Sequence, residues 1–187
     1  VPTHLYGNMS DIEGIKRISK KYNLTLIEDA AESIGTYYKG KHSGTFGRMG
    51  IVSFNGNKTI TTGSGGAIIF KKKSDFLKGK KLANIGKSEK IFKTTFDLLG
   101  YNYKINNLQA AVGIAQIKKI NQILRLKKIV NAKYKKEFLK YDNVKLFKNI
   151  SEKSYNNLIK ILFLKNIKKI EKIKLIKYLY KRKIKVR

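Results

Sequence analysis

Cysteine is absent from the 187 residues, which excludes a disulfide framework, a thiol nucleophile and a zinc-thiolate site. Histidine occurs only as His4 and His42, too few and too isolated for a metal-ligating cluster. No apolar run approaches the length of a membrane-spanning helix and no signal-peptide pattern opens the chain, so a cytoplasmic protein is the expectation. Acids are scarce: 12 Asp and Glu face 42 Lys and Arg, a net charge of +30. A general attraction to anionic ligands follows. Only Arg17, Arg48, Arg125, Arg182 and Arg187 are arginine, and the remaining cations are lysines spread among isoleucine, asparagine and tyrosine. Nucleic-acid readers gather arginine for bidentate contacts and interleave stacking aromatics. The mixture here reads as the coding bias of an AT-rich genome. A basic, noncatalytic nucleic-acid-binding protein is the rival class of function.

The length fits one or two domains, with no Pro/Ser linker and no internal repeat to divide them. Val1–Gly7 lacks an initiator methionine and reads as the end of a strand, while Ile184–Arg187 reads as the start of one, so the chain is expected to be a piece of a longer protein. Ser10-Asp11 caps a helix over 11–22 with Ile12, Ile15 and Ile18 on its apolar stripe, and Asn23 closes it. Leu24 to Glu28 read as a buried strand of a parallel sheet, reached by a right-handed crossover. Residues 35–50 read as a glycine-punctuated loop with Tyr37, Tyr38 and Phe46 as packing residues. Strands are expected at 50–55 and 66–71, a helix from 74 to about 85 and an irregular polar segment to Gly100. From Asn106 to Lys140 the helical pattern is long enough to hold a bend. A strand at 158–164, a lysine-rich helix at 167–180 and a strand start at Ile184 complete the reading.

Two places carry chemistry. Ile51–Gly66 sets Lys58 in a polar, glycine-rich turn between two apolar runs. A lysine becomes a nucleophile only as the free amine, so it needs a site that holds it in that form and presents it to a carbonyl. Leu26-Ile27-Glu28-Asp29 is an apolar strand that delivers acids at its C-terminal end, where open α/β sheets place their chemistry. A lysine and such an acid are what a pyridoxal phosphate site asks of a protein, a Schiff-base partner and a carboxylate for the ring nitrogen. Taken alone, Asp29 also reads as a helix cap, Glu32 as an exposed glutamate, Ser53 as a strand residue and Gly100-Tyr101-Asn102-Tyr103 as a turn. The glycines Gly63, Gly65 and Gly66 read as a tight turn and not a phosphate cradle, because neither GxGxxG nor GxxxxGK spacing is present.

The run from Ile27 to Ile68, "IEDAAESIGTYYKGKHSGTFGRMGIVSFNGNKTITTGSGGAI", followed by "LLGYNYKINNLQAAVGIAQI", resembles the DegT/DnrJ/EryC1/StrS family of sugar-nucleotide aminotransferases over residues 1–125. The resemblance implies an α/β protein of the pyridoxal phosphate-dependent transferase fold type I. Residues 1–125 would be the C-terminal part of the cofactor-binding large domain, and 126–187 the start of a truncated α+β small domain. It implies pyridoxal 5'-phosphate as cofactor and Lys58 as its Schiff-base lysine and proton carrier. Asp29 would pair with the pyridine nitrogen, Glu32 would lie beside the ring or its phenolic oxygen, and Ser53 would bond the phosphate. Asn102 would reach the phosphate of a second subunit, which makes a homodimer with a shared active site. Lys104 stands where relatives carry arginine, and a point-charge ammonium does not copy a bidentate guanidinium. His4 and Tyr6 are expected only to pack at a strand end. In the family a Gly-Ser/Thr phosphate segment and a ring-stacking aromatic precede the first residue of this chain, so the piece alone is expected to bind cofactor weakly. The implied activity moves an amino group from glutamate to a nucleotide-linked 4-keto-6-deoxy sugar for surface polysaccharide or glycan synthesis. The substrate would be of the UDP-4-amino-sugar or GDP-perosamine type. Lysine at position 58 argues against the family's 3-dehydratases, which carry histidine there.

Overall fold

The structure, a computed structural model, describes residues 1–90, 93–147 and 155–186. Helix α1 (Ile12–Lys21) begins where the Asp11 side chain accepts the Gly14 N–H at 3.1 Å, and Lys20 and Lys21 lie in its last turn, the favourable end of the helix dipole for cations. Asn23 closes it at φ 51°, the left-handed conformation that asparagine tolerates. Strand β1 (Ile27–Asp29) starts later than the sequence suggests, because Ser19 takes both polar groups of Leu24: its carbonyl accepts the Leu24 N–H and its hydroxyl donates to the Leu24 carbonyl.

A two-stranded hairpin, β2 (Tyr37–Tyr38) and β3 (Lys41–His42), occupies part of the segment expected to be loop. Tyr38 is buried and Tyr37 is not. Strand β4 (Met49–Ser53) pairs in parallel with β1 and antiparallel with β5 (Gly66–Phe70), giving the order β1-β4-β5. Thr3 adds a parallel bridge to Asp29 on the far side of β1. Residues 1–7 therefore form one bridge and a 3-10 turn (Leu5–Gly7) rather than the end of a regular strand. The strands are close-packed at Gly50, where any Cβ would sit 2.0 Å from the Gly44 carbonyl oxygen.

Helix α2 (Lys73–Ala83) follows. The segment expected to be irregular contains a hairpin, β6 (Lys87–Lys90) with β7 (Lys93–Phe96). The long helical pattern divides into α3 (Asn107–Lys118) and α4 (Ile120–Phe138), with the break at Lys119. Ala30, Ile34, Val52 and Ile60 form the buried core, covered by Phe54, Ile69, Ile120 and Ile123. Chain contacts group Val1–Ile129 and Asn149–Ile159 in one unit, and Val130–Lys148 and Lys160–Arg187 in another. The second unit holds an antiparallel pair, β8 (Val144–Leu146) and β9 (Leu162–Leu164), and helix α5 (Lys169–Lys181). Strand β8 has no counterpart in the sequence reading, and the strand expected over 158–164 is confined to its last three residues. Residues 184–186 form no strand, which corrects the expectation at Ile184; Ile91, Phe92 and Arg187 lie outside the described residues.

Candidate active site

Side chains alternate across a strand, so neighbouring Glu28 and Asp29 serve opposite faces of the sheet. The register pairs Asp29 with Ile51, and Ser53 lies two residues beyond Ile51, which puts Asp29 and Ser53 on one face at the C-terminal ends of parallel strands β1 and β4. Asp29 Oδ1 accepts the Ala31 N–H at 3.1 Å, a local cap of the kind its sequence also suggests, and among the described residues its second oxygen accepts no hydrogen bond. Ser53 Oγ accepts the Asn55 N–H at 3.3 Å, leaving the hydroxyl proton free to donate.

Glu28, on the other face, is fully buried and accepts four hydrogen bonds: His4 Nε2 at 2.9 Å, Gly44 N at 2.8 Å, Phe46 N at 2.6 Å and Gly47 N at 2.6 Å. Burial pushes its pKa up, but the His4 bond and the three backbone N–H groups outweigh that and hold it below the usual carboxylate value. His4, also fully buried, accepts the Ser10 N–H at Nδ1, which leaves Nε2–H to donate to Glu28. His4 is thus a hydrogen-bonded anchor beneath β1, more than the packing residue expected from sequence. Its backbone N–H also donates to the Asp29 carbonyl at 2.9 Å, fixing the residue whose carboxylate opens on the opposite face.

Lys58 rides on the loop between β4 and β5. Phe54 closes this loop, donating its N–H to Gly65 and accepting from Thr62 N and Thr61 Oγ1. Helix α3 braces it with one face: Gln116 Oε1 accepts the Thr61 N–H at 3.0 Å, Gln109 Nε2 donates to Ser64 Oγ at 2.9 Å, and Gly113 between them passes close to Thr62. The Lys58 side chain is 13% exposed, and its Nζ lies 3.4 Å from Glu32 Oε1. The other Glu32 oxygen accepts the Tyr6 N–H at 2.8 Å. Tyr6 holds φ 56° to present that donor, so its contribution to the site is a backbone group, again more than packing. Next to Lys58, Thr59 Oγ1 is buried with no hydrogen-bond partner among the described residues.

The structure therefore joins Lys58 to Glu32 directly and sets Asp29 and Ser53 on a common strand edge. It does not bring Asn102 into that group: Asn102 is exposed and bridges Asn84. Four participants escape sequence reasoning. The Tyr6 N–H is a backbone donor with no side-chain signature, Gln109 and Gln116 read only as polar helix positions, and Asn156, whose amide donates to the Glu32 carbonyl at 2.6 Å, lies 124 residues from it.

Known proteins bear on this geometry. A family model described as the DegT/DnrJ/EryC1/StrS aminotransferase family matches residues 1–187. A protein of Bacillus subtilis named putative pyridoxal phosphate-dependent aminotransferase EpsN is 35% identical over 166 residues, 89% of this chain and 42% of that protein. The GDP-perosamine synthase of Escherichia coli O157:H7 is 41% identical over 134 residues, 71% of this chain and 36% of that protein. The solved structure of Helicobacter pylori PseC, an aminotransferase involved in the biosynthesis of pseudoaminic acid, superposes with a TM-score of 0.90 at 23% identity, covering 96% of this chain and 49% of that one. The chain thus spans less than half the length of each, and its mixed α/β fold is that of fold type I sugar aminotransferases. With Lys58 on its strand-to-strand loop and a match from first residue to last, the chain belongs to the DegT/DnrJ/EryC1/StrS aminotransferase family.

Proposed function

We propose that the protein is a pyridoxal phosphate-dependent aminotransferase that moves an amino group from glutamate to the keto carbon of a nucleotide-linked 4-keto-6-deoxy sugar, yielding the amino sugar and 2-oxoglutarate. The observation that carries this reading is the Lys58–Glu32 pair at 3.4 Å, formed by the segments that follow Asp29 on β1 and Ser53 on β4, which share one sheet face. The residues fit the cofactor: a half-free carboxylate, a hydroxyl with a proton to donate and a largely buried amine supply the three kinds of contact it needs, and the unpartnered Thr59 hydroxyl adds a polar group beside them.

When bound, pyridoxal phosphate supplies an aldehyde that captures amines and a ring that draws electrons from the adjacent carbon. Lys58 Nζ would hold that aldehyde and, as a free amine, would take the proton from the amine-bearing carbon of the substrate. Glu32 would orient Nζ when the amine is free. The open oxygen of Asp29 would set a negative charge against the ring nitrogen and favour its protonated form. Ser53 Oγ donates to the phosphate, and the lysine-rich surface favours the diphosphate of the nucleotide sugar. Asn102, exposed and outside this cluster, serves the phosphate of a second copy in a homodimer with shared active sites. Residues 1–125 form the end of the cofactor-binding domain and 126–187 the start of the small one, in a cytoplasmic enzyme of surface-glycan synthesis. Among the described residues, no helix is long and apolar enough to cross a membrane.

The test is turnover with glutamate and UDP- or GDP-linked 4-keto-6-deoxy sugars, following 2-oxoglutarate and the amino sugar. With pyridoxal phosphate in excess, wild type is expected to turn over one of them, and Lys58→Arg to fold normally with no turnover, since a guanidinium stays protonated. Near wild-type turnover in Lys58→Arg would contradict the assignment.

A further inference from the structure

We propose that Asn156 is a positioning residue for the Lys58–Glu32 pair, an inference that rests on the function proposed above. Asn156 is fully buried, and every polar group of its side chain is used. Its amide donates to the Glu32 carbonyl at 2.6 Å and to the Ile34 carbonyl at 2.9 Å, while Oδ1 accepts the Leu158 N–H at 3.0 Å. Its backbone N–H donates to Thr36 Oγ1 at 3.2 Å, and the Thr36 hydroxyl passes its own proton to the Gly7 carbonyl at 2.6 Å. One residue thus grips two segments: the backbone of Glu32 directly, and the Tyr6–Gly7 turn through Thr36.

Those are the segments whose spacing sets the Glu32 carboxylate. Glu32 spends one oxygen on the Tyr6 N–H and the other on Lys58 Nζ, so a shift of either segment redirects the carboxylate away from the amine. The turn is moulded on Asn156. Gly7 has φ +84°, and a Cβ there would lie 2.0 Å from Asn156 Oδ1, so the conformation and the space both require glycine. No close substitute performs the task. Aspartate would set an oxygen against two carbonyls, and an aliphatic residue would leave the Glu32 and Ile34 carbonyls unpaired.

The experiment is a double-variant cycle read on the unloaded protein. The labelling rate of Lys58 by acetic anhydride, relative to surface lysines, is followed by peptide mass spectrometry. Glu32→Ala releases the amine and is expected to raise the Lys58 rate threefold or more. Asn156→Ala is expected to give a like increase, and the double variant no more than Glu32→Ala alone. The melting temperature, which a purely structural role also moves, falls for Asn156→Ala in both backgrounds. A labelling rate unchanged by Asn156→Ala, or effects that multiply in the double variant, would overturn the role. If Asn156→Ala does not fold, Thr36→Val cuts the same linkage at constant size and must show the same non-additivity; multiplying effects there overturn the role as well. A parallel titration with pyridoxal phosphate separates the two ideas. An intact labelling cycle in a wild-type protein that takes up no pyridoxal phosphate even at millimolar excess rejects the function and keeps the positioning of the pair.

Discussion

Glu28→Gln tests whether the anchor beneath β1 holds the site. The carboxylate receives two donors at each oxygen: His4 Nε2–H and Gly44 N–H at Oε2, Phe46 N–H and Gly47 N–H at Oε1. A glutamine has one acceptor oxygen and an NH2 that only donates. With its oxygen toward Phe46 and Gly47, the NH2 opposes both His4 and Gly44. A tautomer change lets His4 Nε2 accept, its Nδ1–H then finding the Ser10 hydroxyl 3.0 Å away, but the Gly44 N–H stays orphaned; the flipped amide satisfies Gly44 and orphans the Phe46 and Gly47 N–H groups instead, so at least one buried donor is unpaired either way. One buried unsatisfied donor costs about 1–3 kcal/mol and the exchange of charged for neutral hydrogen bonds adds to it. We expect a loss of about 3 kcal/mol, a large part of the roughly 5–15 kcal/mol that holds a domain together. Urea unfolding followed by circular dichroism measures it directly, and the melting temperature should drop by about 6–12 °C. A loss under about 1 kcal/mol would refute the account of four committed donors.

Asp29→Asn should leave the fold intact and lower turnover by about two to three orders of magnitude, the scale of losing one charge-assisted contact at about 3–4 kcal/mol of barrier; a drop under tenfold in steady-state kinetics would make Asp29 a local cap only. Stability should fall in two stages as pH drops. Burial holds the His42 pKa below its ordinary 6.5, against the opposing pull of its Ser43 bond and the Glu28 charge, so below that pH the unfolded chain binds the extra proton first. Glu28, held below 4.5, contributes stability that is full above that value and is lost as pH falls through its folded pKa. Unfolding free energies across pH should lose the upper stage in His42→Gln and the lower one in Glu28→Gln, and a profile unchanged by either variant would contradict this.

The outline of the fold was legible because it rests on local chemistry. Asp11 caps α1, apolar spacing marks β4 and β5, and the glycine-rich turn between those strands isolates Lys58 from the other lysines. The Lys58–Glu32 contact was legible only as two positions in separate motifs. What stayed hidden was long-range polar satisfaction. The Tyr-Asn-Asn segment at 155–157 has no periodicity, and its hydrogen bonds to 32–36 exist only once the chain has returned to that loop. The hairpins β2–β3 and β6–β7 were equally unreadable, since their strands are two to four residues long and offer no alternation to detect. Glu28 carries no functional reading in the sequence, and alternation turns it to the face where His4 waits.

The central claim, that Lys58 is the lysine that binds the cofactor, is tested most directly by reducing the pyridoxal phosphate-loaded protein with borohydride and mapping the modified peptide by mass spectrometry. We expect a single stoichiometric adduct on Lys58, absent from Lys58→Arg. An adduct spread over surface lysines, or one that persists at full stoichiometry in Lys58→Arg, would contradict it.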